Sequence, residues 1–223
     1  MKAILFDAGG TLLEINPSPK EIYIAIFEQM GVDIGRERLI DTIIDVKKHL
    51  DNSFGHSPVE KDSFPIRFNK LLLEGCGLRC DSNTARQVTI EFANRIRFTN
   101  YPETRMVLER LWGRFRLGII SNWNMDRDLN DVLRENNILK YFDYTLASKD
   151  FGLEKPDQAI FERALCDMKV DAEDSFYIGD SYIEDVHGAL NAGLRPIFVN
   201  RRSEPNPLCI PSISTLDEVL AMV

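Results

Sequence analysis

The sequence predicts an α/β fold in which helices cover a parallel sheet and a helical segment is inserted after the first strand. Two observations carry this prediction. Short, nearly continuous apolar runs alternate with helical patterns, which is typical of parallel strands buried on both faces. About 100 residues separate the first run from the second, although a parallel crossover needs little more than one helix.

Five apolar runs are predicted to be strands. Four have a strong strand composition and the fifth is weaker. In chain order the strong runs are Ala3–Phe6, Phe115–Ile120, Ser175–Ile178 and Arg195–Val199, and the weaker one is Tyr144–Ala147.

Helices in this sequence begin and end at recognisable signals. Ser18 and Glu21 flank Pro19 in a capping-box pattern, which predicts a helix that continues through Met30 and stops at Gly31. Three more helices are predicted, from Pro102 toward Trp112, from Pro156 through Met168, and from Glu184 to Ala192.

The segment from residue 16 to residue 97 contains further helical patterns and no convincing strand. These patterns are marked by apolar residues at 40–46, 68–73 and 88–96. We therefore expect residues 1–15 and 98–223 to form one core domain, and residues 16–97 to form an inserted helical domain.

Composition and charge narrow the class of function. The chain has 223 residues and a formal net charge of −8, which disfavours nucleic acid and anionic membranes as partners. The apolar stretch before Asp7 is too short for the core of a signal peptide, and nowhere do roughly 18 apolar residues run together. We expect a cytoplasmic protein. Its four cysteines lack the spacing of a zinc site, and we expect them to be reduced and mostly buried.

Polar residues that could carry chemistry follow the predicted strands, where open α/β sheets bind their ligands. They are Asp7, Thr11, Ser121, Asn122, Lys155, Asp180 and Asp185. Carboxylates gathered at one sheet edge repel one another unless a cation lies between them, and oxygen ligands favour Mg²⁺. The set predicts metal-assisted phosphoryl transfer, with Asp7 as nucleophile and with Lys155 and Ser121 on the phosphate. Each residue taken singly is also common in turns and helix caps.

Four motifs resemble those of the haloacid dehalogenase-like hydrolase superfamily, and they occur in the family's order. They are ILFDAGGTLL, IISNWN, GLEKPD and YIGDSYIEDVHGALNAG. The inserted helical segment is similar to the cap of the subfamily with an all-α cap. The stretch from ISNWN to FERAL looks especially like the REG-2-like group within that subfamily.

The resemblance implies a Rossmann-like core, a Mg²⁺ cofactor and a small phosphorylated metabolite as substrate. It also implies roles for individual residues. The catalytic residues would be Asp7, Thr11 and Lys155. The phosphoryl group would be bound by Ser121, Asn122 and Lys155. The metal would be held by Asp7, the Gly9 carbonyl, Asp180 and Asp185.

Gly9 departs from the family pattern. Family phosphatases usually have a second Asp there, which protonates the leaving group and later activates water, and such acid–base help is typically worth about 10² to 10⁴ in rate. Three explanations stay open. In the first, the leaving group needs little help from a proton, as in an acyl or aryl phosphate. In the second, another group, from the cap or the substrate, replaces the acid. In the third, the protein is a non-catalytic phosphate-binding or interaction protein.

Two other branches of the family also lack the second Asp. In 2-haloacid dehalogenases, halide leaves without a proton, but these enzymes need no Mg²⁺ and their fourth motif differs from GDSYIED. Phosphonate hydrolases need a cap lysine, and no motif singles one out here. A Mg²⁺-dependent phosphatase is therefore the preferred interpretation.

A few other residues have both an ordinary and a functional explanation. Trp123 would be a core residue or a pocket wall, and His56 a solvated loop residue or a stand-in acid. Arg201 and Arg202 follow a predicted strand, so they lie in a plain polar loop or face the ligand side.

Overall fold

The structure is a computed structural model that describes residues 2–32, 34–53, 64–78, 80–123, 125 and 127–223, with the backbone alone at 51–53 and 64. The chain divides into two compact units. One comprises Met1–Ile15 and Phe98–Val223, and the other is Asn16–Arg97.

The described residues contain eight strands. They are β1 (Ala3–Phe6), β2 (Leu13–Asn16), β3 (Arg97–Asn100), β4 (Arg116–Ser121), β5 (Tyr144–Ala147), β6 (Ser175–Gly179), β7 (Arg195–Val199) and β8 (Ser212–Ile213). Six form one sheet in the order β5-β4-β1-β6-β7-β8, and every neighbouring pair is parallel. The other two, β2 and β3, pair with each other. The predicted α/β fold with a parallel sheet is confirmed.

All five predicted strands are present, and none of their ends differs by more than one residue. Three short strands, β2, β3 and β8, were not predicted. The burial along β2 and β3 explains this, since both strands expose a large part of their four residues and lack the continuous apolar run of a buried parallel strand. The expectation of no strand between residues 16 and 97 is therefore wrong at both ends of that segment.

The described residues also contain nine α-helices. They are α1 (Pro19–Gln29), α2 (Arg36–Ser53), α3 (Phe64–Gly75), α4 (Ser82–Arg95), α5 (Thr104–Leu111), α6 (Leu129–Glu135), α7 (Ser148–Phe151), α8 (Gln158–Met168) and α9 (Gly188–Asn191). Short 3₁₀ segments lie at Leu139–Tyr141, Ala172–Asp174 and Leu216–Ala221, and a π-helical turn spans Tyr182–His187.

The helix signals in the sequence are confirmed with small shifts. The capping box at Ser18 is present, with Glu21 Oε2 accepting from the Ser18 backbone N–H at 2.8 Å. The helices expected from Pro102 and Pro156 begin two residues later, and Asp157 caps α8 by accepting from Ala159 N at 2.9 Å.

The helix expected over Glu184–Ala192 is not a plain α-helix. It begins as the π-helical turn at Tyr182, because both Asp185 N and Val186 N donate to Ser181 O, at 2.9 and 3.2 Å. The α-helical geometry of α9 starts only at Gly188.

The Asn16–Arg97 unit contains helices α1 to α4, and among its described residues only the two terminal ones lie in strands, Asn16 in β2 and Arg97 in β3. Its apolar interior includes Tyr23, whose ring centroid lies 4.8 Å from that of Phe92 and 5.8 Å from that of Phe68. His56 and its loop lie outside the described residues, so its two explanations both stay predictions.

No described helix combines the length and the apolar character needed to cross a membrane. All four cysteines are free, as expected. The expectation that most are buried is wrong, because Cys166 and Cys209 are exposed and only Cys76 is fully buried.

The sheet places the ends of its strands at one edge. The central strand β1 is buried throughout, and its last residue, Phe6, pairs with Ile119 of β4 and with Ile178 of β6. The chain moves from β1 to β4 and β5 on one side and to β6, β7 and β8 on the other. The turns after β1, β4 and β6 therefore lie together at a topological switch point, where open α/β sheets bind ligands.

Candidate active site

A buried lysine holds two of the predicted acids. Lys155 Nζ donates to Asp7 Oδ1 at 2.7 Å, to Asp185 Oδ1 at 2.6 Å and to the Tyr177 hydroxyl at 3.0 Å, and its side chain is 1% exposed. The Tyr177 hydroxyl in turn donates to Ile120 O at 2.9 Å. An ammonium has three N–H donors, and all three are used here. Lys155 therefore offsets one of the two negative charges, and its direct contact with phosphate stays a prediction.

Asp7 follows β1 and is almost completely buried. Its backbone N–H donates to Ile178 O at 2.9 Å, which fixes the carboxylate beside the end of β6. Burial raises the pKa of Asp7 to about 6, and Lys155 opposes this effect while the negative charge of Asp185 adds to it. A carboxylate at neutral pH beside other acids is what a metal-assisted nucleophile requires.

The third acid, Asp180, packs against glycine. A Cβ placed on Gly10 would lie 2.2 Å from Asp180 Oδ2, and Gly10 has a φ of +87°, so only glycine fits both the space and the backbone conformation. Burial raises the pKa of Asp180 well above its ordinary value, and the charges of Asp7 and Asp185 raise it further. Its carboxylate makes no hydrogen bond to any residue that the structure describes.

These three acids fit a divalent cation. Asp7, Asp180 and Asp185 each offer a carboxylate oxygen, and the three atoms lie within 4.8 Å of one another. Only one cation, Lys155, lies among them in the described part of the chain, and it contacts two of the three. Oxygen donors alone, with an excess of negative charge, are the set that Mg²⁺ prefers.

Asp185 is held by the π-helical turn and by a glycine. Its Oδ2 accepts from Ser181 N at 2.9 Å. A Cβ on Gly179 would lie 2.3 Å from the same oxygen, so Gly179 is needed for the carboxylate to reach its position.

Ser121 ends β4 beside the acids, and Asn122 follows it. Ser121 is buried and borders the cavity described below. The Asn122 carboxamide instead clamps the backbone of Lys155: Nδ2 donates to Lys155 O at 2.9 Å, and Oδ1 accepts from Lys155 N at 2.7 Å. Asn122 thus orients Lys155, and its predicted contact with substrate stays a prediction.

A cavity of about 180 Å³ opens onto Asp7. Acids and serines border it, together with the apolar residues Ile15, Phe98, Trp123 and Met125. Trp123 is 3% exposed, with its ring centroid 4.9 Å from that of Phe98 and its indole N–H donating to Arg127 O at 2.7 Å. Both explanations of Trp123 therefore hold, because it is a packed residue that also borders the cavity.

Two predicted site residues differ in their surroundings. Gly9 borders the cavity, and nothing lies within 4 Å of the position that a Cβ there would take. Thr11 is fully buried, and its hydroxyl has no hydrogen-bond partner among the described residues. Thr11 does not border the cavity, and its catalytic role stays a prediction.

Several residues of the site were missed by the sequence analysis. They are Tyr177, Gly10, Gly179, Ser181 and Glu184. The sequence held a usable signal for Tyr177, because a tyrosine within an apolar strand buries its hydroxyl, and a buried hydroxyl needs a partner. The glycines carried no such signal, since their role depends on which carboxylate packs against them.

The fold and the acidic site together define a Rossmann-like hydrolase core. The family model of the haloacid dehalogenase-like hydrolases matches residues 4–199, and the chain belongs to this family of enzymes. The narrower resemblance to the all-α-cap subfamily and its REG-2-like group stays a prediction.

Among curated proteins, the chain is similar to a glyceraldehyde 3-phosphate phosphatase from Methanothermobacter thermautotrophicus. The two are 38% identical over 207 residues, which cover 90% of this chain and 86% of that protein. It is also 28% identical to the haloacid dehalogenase-like hydrolase domain-containing protein 3 of Xenopus laevis over 130 residues, 56% of this chain. That match spans about half, 52%, of the length of the Xenopus protein.

Two solved structures share the fold. The HAD-hydrolase YfnB from Bacillus subtilis, solved bound to magnesium, superposes with a TM-score of 0.81 at 22% identity, over 99% of this chain and 97% of that one. The 2-haloacid dehalogenase of Pseudomonas syringae superposes with a TM-score of 0.60 at 28% identity, over 100% and 99% of the two chains.

Proposed function

We propose that this protein is a Mg²⁺-dependent phosphatase that acts on a small phosphate ester or anhydride through an aspartyl-phosphate on Asp7. The observation that carries the proposal is the cluster of Asp7, Asp180 and Asp185, whose carboxylate oxygens lie within 4.8 Å of one another at the switch point of the sheet. The similarity to a glyceraldehyde 3-phosphate phosphatase supports the reaction class.

Asp7, Asp180 and Asp185, with the Gly9 carbonyl, would hold the Mg²⁺ ion, which when bound neutralises charge on phosphate and nucleophile. A carboxylate oxygen of Asp7 attacks phosphorus, and the bond to the leaving oxygen breaks with its electron pair on that oxygen. Water then hydrolyses the aspartyl-phosphate, which releases phosphate and restores Asp7. Lys155 orients Asp7 throughout the reaction. Its ammonium lies between Asp7 and Asp185, and its backbone is held by Asn122.

Gly9 limits the substrates that such a site turns over. No side chain at this position donates a proton to the leaving group, so the rate at which the aspartyl-phosphate forms depends on the leaving group's own stability. We propose that acyl and aryl phosphates are hydrolysed faster than alkyl phosphates. We also propose that the helical Asn16–Arg97 unit is the cap domain, which selects the substrate. A cytoplasmic location is consistent with four free cysteines, since thiols persist in reducing compartments.

The test is phosphate release from acetyl phosphate, p-nitrophenyl phosphate and a panel of sugar phosphates, with Mg²⁺ or with EDTA. We expect Mg²⁺-dependent release from the activated substrates, its loss in Asp7→Asn, and a wider substrate range in Gly9→Asp. Asp143→Asn is the control, because Asp143 is a surface acid that pairs with Arg116 at 3.3 Å. If neither the native protein nor Gly9→Asp releases phosphate from any of these substrates, the phosphatase proposal is overturned.

A 2-haloacid dehalogenase activity is the second candidate. Gly9 and the likeness to the Pseudomonas syringae enzyme favour it. The cluster of three acids disfavours it, because halide displacement has no use for a cation there. Halide release from 2-haloacids in EDTA, lost in Asp7→Asn, would establish the dehalogenase activity. Release of neither phosphate nor halide would point to a binding protein.

A further inference from the structure

We propose that Arg201 is a positioning residue of this site. Its guanidinium holds the Gly10–Thr11 segment and thereby fixes the surface against which Asp180 packs. Arg201 follows β7, and its Nε and Nη2 donate to Gly10 O at 3.3 Å and to Thr11 O at 3.2 Å. The role of these contacts in catalysis rests on the proposed function of the same site.

Arg201 is itself held on two further sides. Its Nη2 donates to Glu103 Oε1 at 2.8 Å, and its Cζ lies 3.7 Å from the centroid of the Tyr101 ring. The side chains of Arg201 and Glu103 are 18% and 16% exposed, so the ion pair is largely removed from water. Glu103 Oε1 also accepts from Leu216 N at 3.2 Å. A planar guanidinium with five donors suits this arrangement, which the single nitrogen of lysine cannot reproduce.

The held segment determines where Asp180 lies. The carboxylate of Asp180 occupies the space in which a Cβ of Gly10 would lie, 2.2 Å from Oδ2. Gly10 is also three positions after Asp7, so a shift of this segment moves the surroundings of both acids. A cavity of about 50 Å³ beside Asp180, bordered by Gly10, Tyr101 and Arg201, leaves room for such a shift.

A matched control separates positioning from simple stabilisation. Arg116 lies in the same unit, donates to the Met168 carbonyl at 3.3 Å and pairs with Asp143 at 3.3 Å. Its register with Ala3 places it at the opposite end of the strands from the acids. Arg201→Met and Arg116→Met each remove a hydrogen bond to a carbonyl and an ion pair. Arg201→Met also removes a second carbonyl contact and the contact with the Tyr101 ring, and only the contacts of Arg201 touch the site.

The first readout is hydrogen exchange in metal-free protein. The amides of Gly10, Leu12 and Leu13 donate to carbonyls within the same turn, at 2.7, 3.0 and 2.8 Å. In Arg201→Met we expect these amides to exchange at least about tenfold faster, because the turn loses hydrogen bonds from a charged group. Arg116→Met should leave their exchange unchanged. Unchanged exchange in Arg201→Met would overturn the proposal, whether or not the protein is an enzyme.

The second readout is Mg²⁺ binding measured by calorimetry without substrate, together with kinetics. Groups that hydrogen-bond to metal ligands are typically worth 10- to 100-fold in affinity. Arg201 holds the segment against which Asp180 packs, so we expect Arg201→Met to weaken Mg²⁺ binding by about the lower end of that range, roughly tenfold. We expect kcat to fall more than KM changes, and Arg201→Lys to recover only part of the loss. Equal loss of melting temperature in Arg201→Met and Arg116→Met, with native Mg²⁺ affinity in both, would reduce Arg201 to a structural contact.

Two other outcomes are possible. If the native protein binds no Mg²⁺ and releases no phosphate, the proposed function fails, while the exchange data still decide whether Arg201 holds the turn. If Arg201→Met does not fold, Glu103→Gln weakens the ion pair of Arg201 and leaves its donors to Gly10 and Thr11. A smaller change in the same direction supports the proposal, and none in either readout contradicts it.

Discussion

Lys155 Nζ lies 2.7 Å from Asp7 Oδ1, and the two side chains are 1% and 9% exposed. This ion pair, with Asp185 on the other side of the ammonium, is the centre of the site. Burial lowers the pKa of Lys155, but the charges of Asp185 and Asp7 outweigh it and hold the pKa well above its ordinary value. The lysine is therefore charged at neutral pH, and it offsets one of the negative charges that the acids bring together.

Removing the lysine should destabilise the protein strongly. Lys155→Met leaves two buried carboxylates without their partner, and breaking a buried pair in this way typically costs about 3–5 kcal/mol. Urea unfolding in EDTA measures the effect. Lys149→Met is the control, because Lys149 is exposed and, within the described part of the chain, its ammonium donates to two carbonyls, Met125 O and Arg127 O. We expect that control to change the free energy of unfolding by less than about 1 kcal/mol; equal losses would contradict this account of Lys155.

The two neighbouring glycines should respond oppositely to alanine. Gly9 has open space and no left-handed backbone, so Gly9→Ala should leave the free energy of unfolding unchanged or raise it by up to about 1 kcal/mol. Gly10→Ala places a methyl group on the Asp180 carboxylate at a left-handed φ and should lower it by roughly 2 kcal/mol. Gly10→Ala should also weaken Mg²⁺ binding. Similar behaviour of the two variants would show that Asp180 does not pack as described.

Stability without metal should depend on pH through Asp7. Burial raises the pKa of this carboxyl to about 6, so the folded state holds its proton more tightly than the unfolded chain does. The stabilisation that Asp7 gives to the folded state is then fully present below about pH 4 and is lost as pH rises through about 6. The free energy of unfolding falls by roughly 3 kcal/mol at most over this range.

The measurement is the difference in unfolding free energy between the native protein and Asp7→Asn, in EDTA from pH 4 to pH 8. We expect the difference to fall with rising pH and to level off above about pH 7. Saturating Mg²⁺ should remove the dependence, because the ion favours the ionised carboxyl. A difference that rises with pH in EDTA would mean that Lys155 dominates over burial.

The Asn122 carboxamide holds the backbone of Lys155, so we expect substitution of Asn122 to lower both stability and activity. Asn122→Asp keeps an acceptor for Lys155 N but turns a carboxylate oxygen toward Lys155 O, where Nδ2 now donates. We expect a loss of about 1–3 kcal/mol and a lower kcat. Asn130→Asp is the control, because Asn130 Oδ1 accepts from Thr145 Oγ1 and a carboxylate can still do so. Equal losses in both variants would rule out a special role for the clamp.

Much of the fold follows from local sequence patterns. The buried strands of the sheet are readable because each is an almost unbroken apolar run, and α1 because Ser18, Pro19 and Glu21 mark its first turn. The short strands β2 and β3 were missed because their stability comes from pairing with each other and not from a local pattern. The π-helical turn likewise depends on the acceptor role of Ser181 O.

The acids of the site were predictable because parallel strands bring their carboxyl ends to one edge. Their contacts were not, since those depend on distances between residues far apart in the chain. Lys155 was expected to face phosphate, and it is buried between Asp7 and Asp185. Arg201 had no local signal beyond its position after a strand, because its partners Gly10 and Thr11 are about 190 positions away.

Trapping the phosphorylated enzyme tests most directly whether Asp7 is the nucleophile. The native protein is mixed with acetyl phosphate and Mg²⁺, quenched in acid within the first turnover, digested and examined by mass spectrometry. We expect the peptide containing Asp7 to gain the mass of one phosphoryl group, EDTA to prevent this and Asp7→Asn to abolish it. Phosphate release by the native protein with no phosphorylated Asp7, or with undiminished release by Asp7→Asn, would contradict it.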